Sequence, residues 1–97
     1  LSIRLFEVSL RPHIYGIYGL VRIADEIVDT YKGSDAATLL KELKKDTDRA
    51  LKTGYSTNPI VHAFATTARA YAIGADLIDP FFASMEMDLH DQTYTQE

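Results

Sequence analysis

Apolar residues along this chain recur at intervals of three and four, the period of a helix face, and alternate with polar ones nowhere long enough to suggest a strand. Ile3, Leu5 and Phe6 make Leu1 to Glu7 read as the end of a helix. Ser9 followed by Pro12 predicts the next start, the serine as cap and the proline in the first turn, where its missing N–H is not needed. From about Arg11 the pattern predicts a helix to Tyr31, ended by Gly33. Ile14, Ile17, Leu20, Val21, Ile23, Ala24, Ile27 and Val28 leave it apolar on nearly every side, so it is expected to be buried. Gly16 and Gly19 lie inside it, each costing about 1 kcal/mol relative to alanine. That cost predicts a neighbouring helix or a ligand at close approach.

Ser34 or Asp35 caps the next predicted helix, Ala36 to about Thr53. Leu39, Leu40, Leu43, Ala50 and Leu51 form its inner face, charged residues its outer face, and Gly54 its end. Asn58 and Pro59 open a helix as cap and first residue. Its apolar positions are Ile60, Val61, Phe64, Ala65, Ala68 and Tyr71, and Gly74 is expected to close it. Asp76 caps a last helix running to about Leu89 or His90, with Pro80 in its first turn. Five helical segments without strands predict an all-α helical bundle, or the first half of one.

The 97 residues suffice for one small domain. A net charge of −4 argues against nucleic acid as a partner, since binders of nucleic acid carry basic patches. Without cysteine there is neither a disulfide frame nor a thiolate metal site. No apolar run approaches the roughly 18 residues that would span a bilayer. An opening on Leu1 and a close on Thr95-Gln96-Glu97 read as cuts at both ends of a longer protein, with residues 1–97 a partial domain.

Chemistry concentrates in Tyr18-Gly-Leu-Val-Arg-Ile-Ala-Asp-Glu-Ile-Val-Asp-Thr30. Helical spacing puts Asp25 and Asp29 one turn apart on one face, with Arg22 a turn before them and Tyr18 a turn before Arg22. Charges on so apolar a helix must face a wet cavity, a partner charge or a metal. Two carboxylates with open oxygens suit a hard cation such as Mg²⁺, commonly held by one or two carboxylates plus substrate phosphates. Spacing alone also permits a solvated helix edge. Glu26, about 100° around from Asp25, joins the acidic group or faces solvent. Asp88, among Phe82, Ala83, Met85 and Met87, either faces the same cavity or sits near a helix end. His13, His62 and His90 lack metal-ligand spacing, and no nucleophile elbow or glycine-rich phosphate loop is present.

Arg11-Pro-His-Ile-Tyr-Gly-Ile-Tyr-Gly-Leu-Val-Arg-Ile-Ala-Asp-Glu-Ile-Val-Asp29 resembles the first aspartate-rich segment of the squalene/phytoene synthase family, in which an arginine, two residues and Asp-x-x-x-Asp follow a short aromatic stretch. Asn58-Pro59-Ile-Val-His-Ala63, Ile73-Gly-Ala-Asp-Leu-Ile-Asp-Pro-Phe81 and Met85-Glu-Met-Asp-Leu89 resemble its later segments in the same order. The family residue after the first aspartate is often Asp; here Glu26 keeps the charge.

The resemblance implies the N-terminal part of an isoprenoid-synthase fold. It also implies a transferase that joins two farnesyl or geranylgeranyl diphosphates head to head, giving presqualene or prephytoene diphosphate and then squalene or phytoene. Asp25 and Asp29 would then be the catalytic, Mg²⁺-holding pair, Arg22 the diphosphate contact, and Tyr18 and Asp88 pocket residues. A squalene-type reaction would add NADPH. The setting implied is cytoplasmic, with peripheral membrane attachment of the full enzyme. The family's second aspartate-rich motif has no counterpart in these residues, so the chain alone is expected to be inactive. Its open apolar face is expected to make it self-associate. The alternative is a non-catalytic helical assembly or interaction module of the same fold.

Overall fold

The computed structural model describes residues 15–95, with side chains to residue 92. The expected Leu1 to Glu7 segment, the Ser9 and Pro12 start, and Ile14 lie outside the described residues. The remaining four predicted helices are present, and no strand occurs among the described residues.

Helix α1 is already helical at residue 15, keeps α-geometry through residue 25, and winds as a π-turn over Glu26–Thr30. The Tyr31 amide donates to the Glu26 carbonyl at 2.7 Å, an i→i+5 bond. Tyr31 is extended, so the helix stops ahead of Gly33. Burial is confined to one stripe, a correction to the expectation of a helix buried all round. Leu20, Ala24 and Val28 are enclosed, while Ile17, Tyr18 and Tyr15 are exposed. The four-residue spacing of the buried three is that of a helix with one side against a core.

Gly16 sits where a Cβ would lie 2.8 Å from the Ala63 carbonyl and 2.9 Å from the Thr67 hydroxyl. A methyl group there would hold the two helices apart. The predicted close approach is therefore that of a neighbouring helix, the one that carries Ala63 and Thr67.

Helix α2, Ala36–Thr53, turns Leu40, Leu43, Thr47 and Ala50 inward. The Thr47 hydroxyl donates to the Leu43 carbonyl at 2.8 Å, which lets a polar residue sit fully buried. Asp35 occupies the cap position without a side-chain cap bond, because its carboxylate accepts the Tyr31 hydroxyl proton instead. Gly54 ends the helix in left-handed geometry at φ 81°, as expected.

Helix α3, Pro59–Ala70, starts as predicted: the Asn58 side chain accepts from the Ile60 and Val61 amides. Its end departs from expectation. The chain leaves the helix at Tyr71, and Ala72, not Gly74, takes the positive φ of 56°. Helix α4, Ala75–Thr95, is longer than predicted, with Asp76 inside its first turn and Pro80 in its body. Pro80 cannot donate to the Asp76 carbonyl a turn earlier, a local cost that burial of Ile78 and Phe82 on either side offsets.

Lys44 of α2 pairs with Asp79 of α4 at 3.1 Å. Further along α4, Glu86 and Leu89 share a cavity wall with Lys41 and Ala37, further back along α2. The two helices are therefore antiparallel. Phe82 is wholly enclosed, and Met85 and Leu89 pack against the same core as Leu20 and Val28 of α1. That packing sets the far end of α4 beside the π-turn.

Candidate functional site

The π-turn carries Asp29, and Asp25 stands at its head. An i→i+5 turn is wider than an α-turn, and such turns are frequent at functional sites because they re-aim side chains without ending the helix. Val28, inside the turn, faces the core. Its neighbour Asp29 is consequently carried to the surface, where it is exposed, and Asp25 at the head of the turn is half-buried.

Arg22 is exposed and lies 3.5 Å from the Glu26 carboxylate, with side-chain exposures of 62% and 55%. Tyr18 and Glu26 both favour its charged form, the tyrosine hydroxyl more than the carboxylate, so its pKa is raised above the ordinary arginine value. At this exposure the ion pair contributes little stability. It does align Tyr18, Arg22 and Glu26 along one edge of α1, with Asp25 beside them.

Asp29 is tied across the bundle. The Gln92 side-chain amide of α4 donates to its Oδ1 at 2.6 Å. Its Oδ2 carries no bond among the described residues, and Asp25 has no hydrogen-bond partner among them. Asp88, one turn before Gln92 on α4, is exposed. Helical spacing places it on the Gln92 side of that helix.

Two groups thus form: Tyr18, Arg22 and Glu26 along an exposed edge of α1, and Asp29 with Gln92 between α1 and α4. Among the described residues no three acidic or histidine side chains converge as a metal cluster. Among the described residues, Tyr18, Arg22, Asp25, Asp29 and Asp88 stand outside the walls of the two best-formed cavities. The main cavity, about 570 Å³, lies around the corner under Tyr31, Lys32, Lys41, Leu89 and His90, with Gln92 in its wall.

Sequence spacing located the aspartates and Arg22. It missed Gln92, whose one signal is its position four residues after Asp88, and it left open the Glu26 pairing, which the structure shows with Arg22. It also missed the π-turn, which leaves no mark in the hydrophobic pattern.

No helix among the described residues is long and apolar enough to cross a membrane. No curated protein and no solved structure matches the chain. The sequence model of the family described as squalene/phytoene synthase matches residues 1–97, the whole chain. With that match over its whole length and an all-α fold, the chain belongs to the squalene/phytoene synthase family, an all-α family of isoprenoid-biosynthetic transferases.

Proposed function

We propose that the protein joins two prenyl diphosphates, farnesyl or geranylgeranyl, head to head through a cyclopropyl intermediate, with Asp25 and Asp29 holding Mg²⁺ against the diphosphate. The observation that carries the reading is the family match along all of residues 1–97 with the Arg22, Asp25 and Asp29 spacing intact. The donor set fits the ion: both groups are hard carboxylate oxygens, Asp25 is unengaged among the described residues, and Asp29 keeps Oδ2 open. A bound Mg²⁺ would supply charge neutralisation, which diphosphate needs in order to leave.

The chain's own residues do the rest. Arg22 offers a permanently charged, forked donor to phosphate oxygens, and exchanges Glu26 for them when substrate arrives. Tyr18, a turn earlier, keeps the guanidinium in place. Tyr18 would also offer an aromatic face to an allylic cation, since such faces attract cations. Asp88, on the Gln92 side of α4, would add negative potential for the metal. One pair of carboxylates offsets little of the dehydration of Mg²⁺, so the 97-residue chain alone is expected to bind it weakly and release no diphosphate.

The test is product analysis with labelled farnesyl and geranylgeranyl diphosphate and Mg²⁺. Formation of C30 or C40 products, lost in Asp25→Asn and Asp29→Asn, supports the reading. Absence of any diphosphate release would favour the non-catalytic helical module, for which the exposure of Asp29 and the Arg22–Glu26 pairing already speak.

A further inference from the structure

We propose that Gln92 is a positioning residue for Asp29. Its amide fixes one oxygen of the carboxylate so that the other faces the cation, and this inference rests on the reading that Asp25 and Asp29 hold Mg²⁺.

The geometry is asymmetric. Asp25 and Asp29 sit on the same helix one turn apart, yet only Asp29 is fastened to another element, by the 2.6 Å bond from Gln92. Asp25 is half-buried beside its own helix, which restricts it sterically. Asp29 stands exposed on the π-turn and, without Gln92, would sample several rotamers. A freely rotating carboxylate loses side-chain entropy when it binds a cation that demands near-ideal octahedral geometry. A hydrogen bond made beforehand removes part of that cost. Outer partners of metal-binding carboxylates commonly act in this way.

The chemical type of the partner matters as much as its place. Lysine or arginine at position 92 would also hold Asp29, but would put a positive charge against the carboxylate and compete with the cation. The glutamine amide donates without carrying charge, so it brings no positive charge to compete with a cation. The support behind Gln92 is packed: Leu89, nearly a turn earlier on α4, and Met85 before it lie against the core that encloses Phe82. Gln92 therefore reaches Asp29 from a fixed element, as positioning demands. The bond also spans 63 residues of sequence, so the cation site forms only when α4 has docked on α1.

The experiment uses the 97-residue chain with Mg²⁺ as the probe, followed by two-dimensional NMR of the backbone and side-chain amides, with circular dichroism and thermal melting alongside. Gln92→Leu removes the donor and keeps the bulk; Gln92→Met is a second variant should leucine disturb α4. Expected for the native chain is a Mg²⁺-dependent shift of the Gln92 side-chain amide signal, abolished in Asp29→Asn. Gln92→Leu is expected to weaken Mg²⁺ binding about three- to ten-fold. In an Asp29→Asn background the same change is expected to have no further effect on binding. A purely structural tie would lower the melting temperature and leave Mg²⁺ affinity unchanged. That result, with native binding still dependent on Asp25 and Asp29, overturns the role of Gln92 and leaves the proposed function standing. Mg²⁺ binding that is indifferent to both aspartates overturns the proposed function and the role of Gln92 together.

Discussion

The two ends of helix α2 face opposite kinds of construction. At its C-terminal end, the turn into α3 is saturated with polar bonds. Gly54 takes the left-handed conformation and Asn58 caps the next helix. Buried Ser56 donates to Asp46 at 2.9 Å and accepts from the Asn58 amide at 3.0 Å, while its own amide donates to His62 Nδ1 at 3.3 Å. The His62 ring in turn meets Tyr55 edge to face at 5.4 Å. At its N-terminal end, the approach from α1 has a π-turn, a cap residue that does not cap, and exposed charges held by two cross-ties, Tyr31 to Asp35 and Gln92 to Asp29. The first end shows what the chain does where only stability is at stake. The second leaves carboxylate oxygens open, an arrangement that gives up stabilising bonds and makes sense if a ligand completes them.

The contrast is open to direct attack. Ser56→Ala should be the most damaging single change at either end, since the buried serine hydroxyl serves both the Asn58 amide and the Asp46 carboxylate in a part-buried turn. Loss of buried partners costs about 1–3 kcal/mol, read as a fall in urea midpoint with unchanged slope. Asn58→Ala should follow at about 1 kcal/mol, because two α3 amides lose their acceptor. Asp29→Asn, at the open end, should alter stability by less than about 0.5 kcal/mol, in line with surface substitutions, while Mg²⁺ binding falls sharply. Should Asp29→Asn destabilise as much as Ser56→Ala, the open end would be structural and the comparison would collapse.

How much of this was legible in advance depends on the kind of signal. Gly54, Asn58 and Pro59 act through local backbone chemistry, and local chemistry is written in adjacent residues, so their roles could be read directly. The spacing of Asp25, Asp29 and Arg22 was equally visible, because a helix converts spacing into direction. Gln92 was not, since its bond to Asp29 depends on how α4 docks on α1, which no short pattern encodes. Gly74 misled for a different reason: the bend between α3 and α4 falls two residues earlier, and Ala72 is forced into the positive φ there. The apolar girth of α1 overstated its burial, for the described helices cover its Leu20, Ala24 and Val28 stripe and leave Tyr15, Ile17 and Tyr18 exposed.

The smallest expected effect concerns the second cross-tie. The Asp35 carboxylate accepts the Tyr31 hydroxyl proton, and that bond, with lesser help from desolvation and from the negative charge of Asp35, raises the Tyr31 pKa above its ordinary 10.0. A raised value means that folding favours the protonated phenol. The contribution is fully present below the unfolded pKa near 10.0 and is lost as pH rises through the higher folded value. Phenolate absorbance during alkaline titration should therefore show one tyrosine ionising later in the native chain than in Asp35→Asn, and the small stability the bond contributes should be missing from that variant at neutral pH, the two chains converging only as pH rises through the folded value. Were Asp35→Asn to leave that titration unchanged, Tyr31 and Asp35 would not be joined in solution. The open end of α2 would then rest on the Gln92 bond alone, which would sharpen the contrast with the saturated turn at the other end.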